Sequence, residues 1–258
     1  MLEEVPSLVH DVSIAAAVGR RSLPVRLCAA FTRSLGAQHA AVSLLPRLEH
    51  WQLLHATDET ALQTEADQFT HAGGPSVSAA LEMRPVCTTA PRHAVRPAGT
   101  PGPAGVPFGV RQVLAVPLCA RRTPIGVISL HYSHPVPLSD NDITLATEAA
   151  ALAREELLRW RPVHTGPPRG GTRWTNDSRA ARWQRIHQAA GFVAARDDRP
   201  VHEALAYLQE TSRREQHSLL NVCDRILQPP HTAQNPPHTA ARRPKTVRRA
   251  SDVPAHAR

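Results

Sequence analysis

The stretch from Ile186 to Ala195, IHQAAGFVAA, concentrates the residues best suited to meet another molecule. At helical spacing Arg182, Arg185, Gln188 and Arg196 share one outer face, three cations and an amide that favour an anionic neighbour. Gly191 lies inside the same helix, where glycine costs roughly 1 kcal/mol relative to alanine. Either close helix packing or the close approach of a ligand backbone must offset that. His187 and His217 read as solvated helix residues. No Gly-x-Ser-x-Gly, P-loop, His-Glu-x-x-His or post-strand Gly-x-Gly-x-x-Gly occurs, so neither enzymatic activity nor a cofactor is expected. Cysteines 28, 87, 119 and 223 lie far apart without zinc-ligand spacing, and Cys87 reads as a small buried hydrophobe. Glu148, Glu155 and Glu156 fall on a solvated helix exterior.

The element carrying these residues is the first of three short helices. Trp183, Ile186, Ala190 and Val193 recur at steps of three and four, an apolar stripe, with Asn176, Asp177 or Ser178 available as cap. Asp197-Asp198 and Pro200 end it, because proline has no N–H for a continuing helix. A second helix from Pro200 turns Val201, Ala204, Leu205, Leu208 and Thr211 inward, with Glu203 suited to the positive end of the dipole. A third, from Ser218, offers Leu219, Val222, Cys223 and Ile226. Residues 178–228 therefore read as an all-α three-helix module, preceded by a Pro/Gly-rich linker at 161–177 and followed by a disordered basic tail at 229–258, where Pro-Pro-His-Thr-Ala repeats.

Upstream the pattern changes. Residues 1–19 read as an N-terminal extension with a helix through Val5 to Val18, and a helix from Ser22 and Pro24 to Gly36 places Leu23, Leu27, Ala30, Phe31 and Leu35 on one side. Ala40 to Leu45 and Trp51 to Ala56 read as a hairpin, followed by helices Asp58 to Phe69 and Ser76 to Met83 and a brief strand at Pro85 to Thr88. Five prolines and three glycines between Ala90 and Gly109 predict a loop or flap. Val110 to Leu118 and Ile125 to Tyr132 are strands, with a bulge expected at Gly126, and Ser139 to Asp142 starts a long helix to about Trp160. This order predicts an α+β domain, an antiparallel sheet with flanking helices, over residues 20–160.

Two resemblances follow. Gly74 to Val86, Gly109-Val-Arg-Gln-Val-Leu-Ala-Val-Pro-Leu118, Pro124 to Tyr132 and Leu138-Ser-Asp-Asn-Asp142 resemble a GAF domain. The order I186-H-Q-A-A-G-F-V193, E203-A-L-A-Y-L208 and L219 to L227 resembles ANTAR, a three-helix RNA-binding module of bacterial antitermination regulators. It departs from the family at Tyr207 to Glu210, where two usual cations are missing, and at Thr211-Ser212, where an aromatic-Ala pair is usual. Together the resemblances imply a signal-responsive, homodimeric transcription antitermination regulator, with GAF input controlling ANTAR binding to hairpins in nascent RNA. They imply RNA contacts at Arg185, Gln188, Arg196, Gln209, Arg213 and Arg214, with Ala189 and Gly191 permitting close approach, and a small-molecule ligand between GAF sheet and flap. Two other outputs stay open, a helical unit that binds a protein partner and a helix-turn-helix that binds DNA.

Charge supports polyanionic partners only in part. The chain is +8, from 30 basic against 22 acidic residues. Its last thirty residues hold six cations and one acid, whereas 178–228 holds eight arginines against six acids, a net of only +2. The acidic opening Met1-Leu2-Glu3-Glu4, unpaired cysteines and an apolar run at Val12 to Val18 too short for a bilayer predict a cytoplasmic protein without a membrane segment.

Overall fold

A computed structural model describes residues 7–17, 19, 21–90, 109–160 and 178–228. The expected flap, linker and basic tail lie outside these residues, apart from the flap's edges. Five strands form one antiparallel sheet: β1 (His39–Leu44), β2 (Gln52–Ala56), β3 (Val86–Thr89), β4 (Gln112–Ala120) and β5 (Thr123–Tyr132), in the order β2-β1-β5-β4-β3. Helices α1 (Leu8–Ala17), α2 (Leu23–Leu35) and α5 (Asp140–Arg159) pack on one face, and α3 (Glu59–Thr70) and α4 (Pro75–Glu82) on the other.

The two faces follow from alternation along the strands. On β5, Ile128, Leu130 and Tyr132 join Leu27, Phe31 and Ala150 in the core beneath α2 and α5. Val127, Ser129 and His131 point the other way, toward α3 and α4. Arg154 ties α5 to the sheet by donating to the Cys119 carbonyl at 2.6 Å. The expected capping box forms, with Ser139 Oγ accepting from the Asp142 amide at 3.2 Å and Asp142 Oδ2 accepting from the Ser139 amide at 2.8 Å.

Gly126 marks an irregularity, as its place in the strand predicts, and the extra residue is its neighbour. Leu118 pairs with Gly126 and Cys119 with Pro124, so Ile125 bulges. Gly126 itself pairs with Leu44 on β1 so closely that a Cβ would lie inside van der Waals contact of the Ser43 carbonyl oxygen. Replacing Gly126 with alanine should therefore destabilise the sheet by about 1–3 kcal/mol, the usual range for overpacking, measured by urea unfolding. A loss below a few tenths would mean that β1 and β5 part freely.

Residues 178–227 belong to the same compact unit as the sheet. Helices α6 (Ser178–Asp197), α7 (Val201–Glu215) and α8 (Leu219–Ile226) form the expected three-helix arrangement. Trp183, Ile186, Ala190, Val193, Ala204, Leu205, Leu208, Leu219, Val222 and Cys223 fill its seam. Val201, expected inward, is 53% exposed, because it occupies the first helical position, beyond the reach of the other two helices. The seam does not close on itself. Trp51 of the hairpin and Phe69 of α3 continue it into the α+β domain, with both ring centroids 5.6 Å from Trp183. Among the described residues no helix is long and apolar enough to cross a membrane.

Candidate functional site

The sheet face beneath α3 and α4 holds an island of polar side chains in an apolar core. Asp58 caps α3, accepting from the Ala61 amide at 3.0 Å, and His39 Nδ1 lies 2.5 Å from its other oxygen. Partial burial of Asp58 works against its charge, but hydrogen bonds from His39 and Ala61 outweigh it and hold the carboxyl below its ordinary pKa. Two helical turns further on, Glu65 points into the centre. Its Oε1 accepts from Ser129 Oγ at 2.5 Å, Ser76 Oγ at 3.3 Å and Gln68 Nε2 at 3.3 Å. Gln68 Oε1 in turn accepts from the Ser76 amide at 2.7 Å, satisfying a donor in the first turn of α4.

His131 Nε2 stands 3.3 Å from the same Glu65 oxygen, within ion-pair reach but outside hydrogen-bond geometry. Glu65, Gln68, Ser76, Ser129 and His131 are all at most 1% exposed. Among the described residues Glu65 Oε2, both His131 ring nitrogens and Ser43 Oγ have no hydrogen-bond partner. Buried polar groups left in this state each cost roughly 1–3 kcal/mol, so the centre is a costly arrangement for packing alone. What the arrangement offers chemically is an acceptor oxygen, Glu65 Oε2, with no donor on it among the described residues. The Ser129 hydroxyl gives its proton to Glu65 rather than to an imidazole, and Glu65, Gln68, Ser76, Ser129 and His131 are all shielded from solvent. Among the described residues no three His, Cys, Asp or Glu side chains gather as a metal set.

Residues 25–157, just over half of the chain, match the GAF domain. The chain belongs to the GAF family. Among solved structures, the GAF domain of an Acinetobacter phosphoenolpyruvate-protein phosphotransferase is similar at 15% identity and TM-score 0.44, over 59% of this chain and 90% of that one. A free methionine-R-sulfoxide reductase from Neisseria meningitidis, in complex with its substrate, is similar at 15% identity and TM-score 0.44, over 59% and 86%. A domain assigned to a two-component sensor histidine kinase of Sinorhizobium meliloti is similar at 14% identity and TM-score 0.38, over 51% and 85%. At these scores the likenesses carry nothing about activity. No curated protein matches the chain.

The GAF domain's polar centre was missed by reading the sequence for catalytic spacing. Its signal lies in alternation: Ser129 and His131 are the polar members of one face of an otherwise apolar strand, and Glu65 and Gln68 sit one turn apart on α3. Cys87 is a correction. Its side chain is exposed, and its sulfur accepts from Gln112 Nε2 at 3.2 Å, because β3 is an edge strand with one open face.

The residues expected to meet RNA are dispersed rather than gathered. Gln188, Gly191 and Arg196 are exposed on the outer side of α6, together with Phe192 at 49%. A Cβ at Gly191 would meet nothing within 4 Å, so helix packing does not account for the glycine. Ala189 is fully buried in the seam and offers no surface. Arg185 pairs with Asp224 of α8, and Arg196 with Asp197 at 2.6 Å. Arg213 pairs with Glu210 at 2.8 Å, and Arg214 lies 3.9 Å from Glu215. Gln209 donates to the Phe69 carbonyl of the GAF domain at 2.8 Å. His187, read as solvated, instead places Nε2 2.9 Å from the Trp51 carbonyl, because α6 lies against β2.

Proposed function

We propose that the chain is a signal-responsive RNA-binding antitermination regulator, its GAF domain the input and α6–α8 an ANTAR-like output that binds hairpins in nascent transcripts. The observation that carries the reading is the open face around Gly191. A mid-helix glycine costs roughly 1 kcal/mol, and the space above it is empty, which suits the backbone of an incoming strand. Gln188 and Arg196 flank it, supplying an amide for base edges and a cation for phosphate, and Phe192 offers a stacking surface. The ion pairs on Arg196 and Arg214 are solvated surface pairs, so phosphate can take the place of their carboxylates. The input is a small molecule bearing an N–H or O–H donor, held at the GAF sheet face with Glu65 Oε2 as acceptor. Pairing of two chains would let two output units hold tandem hairpins by effective concentration.

A second reading, an output that binds a protein partner, draws on the same surface. The net charge of the unit is low, its cations are paired, and Phe192 and Val201 are exposed apolar groups. Replacing Gly191 with alanine separates the two from a folding effect. The variant should be more stable by up to about 1 kcal/mol, yet bind tandem-hairpin RNA at least about tenfold more weakly. Binding is measured against duplex DNA of equal charge across a salt series, with and without residues 229–258. Hairpin preference that survives loss of the tail supports the RNA reading. Binding that disappears with the tail, or ignores the nucleic-acid type, or is unmoved by the Gly191 change, would overturn it and favour the protein partner.

A further inference from the structure

The last carbonyls of a helix have no intrahelical partner and carry the negative end of its dipole. At the end of α3 two of them are taken by α7: Gln209 Nε2 donates to the Phe69 carbonyl at 2.8 Å, and Arg213 Nη1 to the Thr70 carbonyl at 3.1 Å. Gln209 and Arg213 lie four apart on α7, so a single face of that helix caps α3. The start of α3 is held as well, since Arg182 of α6 pairs with Glu59 at 2.5 Å. Between these points Trp183 Nε1 donates to the Trp51 carbonyl at 2.9 Å, with His187 on the same oxygen. The helical unit thus grips α3 at both ends over a small aromatic patch.

From this we infer that the docking is a releasable latch: while it is closed, Gln209 and Arg213 are bonded to α3 and withheld from RNA. The inference rests on the RNA reading of α6–α8 given above. Its physical basis is that α3 carries both halves of the device. Glu65 and Gln68 on α3 form the buried polar centre, and the carbonyls of Phe69 and Thr70, one turn later, form the acceptors of the latch. A rigid helix cannot shift at Glu65 without moving those carbonyls. A ligand that draws Glu65 toward itself changes the two hydrogen bonds on which the closed state depends, and a few kcal/mol of differential affinity suffices to repopulate such a two-state element.

The test uses the full chain and changes only the GAF side of the contact, leaving the RNA-facing residues intact. Glu59→Arg repels Arg182, and Trp51→Leu removes the aromatic contact while keeping an apolar side chain at the start of β2. Amide hydrogen exchange over the last turns of α3 and α7 reads the latch, and binding to tandem-hairpin RNA reads the output. Both variants should exchange faster there than wild type and bind hairpins about 10- to 100-fold more tightly, the gain expected when a competent state rises from about 1–10% to dominance. Unchanged exchange in both variants would make the contact a fixed seam and overturn the latch. Faster exchange with hairpin affinity equal to that of a binding-competent wild type would overturn the masking. Faster exchange with no hairpin binding in any form, wild type included, overturns the RNA reading itself and the masking with it.

Discussion

Replacing Glu65 with alanine is expected to destabilise the chain by about 3–5 kcal/mol, the range found when one member of a buried ionic network is removed. The change leaves the Ser129 and Ser76 hydroxyls and the Gln68 amide without the acceptor they share, and takes away the carboxylate 3.3 Å from His131 Nε2. Glu65→Gln keeps a carbonyl acceptor for Ser129 and should lose markedly less. Urea unfolding of both variants measures the difference, and a Glu65→Ala loss under about 1 kcal/mol would show that the centre is not the coherent network its distances imply.

A companion variant bears on why such a centre persists. Buried ionic groups replaced together by apolar residues of similar volume are often neutral or stabilising. Exchanging Glu65, Ser76, Ser129 and His131 together for apolar residues is therefore expected to recover most of the Glu65→Ala loss, short of wild type by no more than about 1–3 kcal/mol, the cost of the Gln68 amide once its acceptor is gone. The polar centre is then not required for folding. That outcome fits a site retained for an input signal.

Much of this architecture is legible in the sequence, and what escapes it has a common physical cause. The hairpin of β1 and β2, the Ser139 capping box and the apolar stripes of α2 and α6 depend on residues close in sequence, so periodicity and cap chemistry reveal them. The Glu65 centre joins residues 64 positions apart, and only the register of β5 against α3 brings them together. The same holds for the face of α7. Gln209 and Arg213 look like free polar residues on an amphipathic helix, and nothing nearby in the chain announces that their partners are carbonyls about 140 residues upstream. Gly191 is the reverse case. Its sequence context leaves packing and ligand approach equally open, and the empty space above it is what weighs against packing.

Truncating Trp183 to alanine should have an effect as large as that at Glu65, about 3–5 kcal/mol for a fully buried tryptophan, and its pattern is more informative than its size. Read from periodicity alone, Trp183 belongs to the private seam of a three-helix module, and its loss should melt that module while leaving the GAF domain untouched. In the structure its ring sits 5.6 Å from the rings of both Trp51 and Phe69, and its Nε1 bonds to the Trp51 carbonyl. Its loss should then lower the stability of both parts in one transition. A double-mutant cycle of Trp51→Ala and Trp183→Ala isolates the contact: packed aromatic pairs contribute about 0.5–1.5 kcal/mol beyond area burial, and the coupling should fall in that range. Two separate transitions with additive losses would mean that the helical unit stands free of the GAF domain in solution, and no signal could then pass through α3.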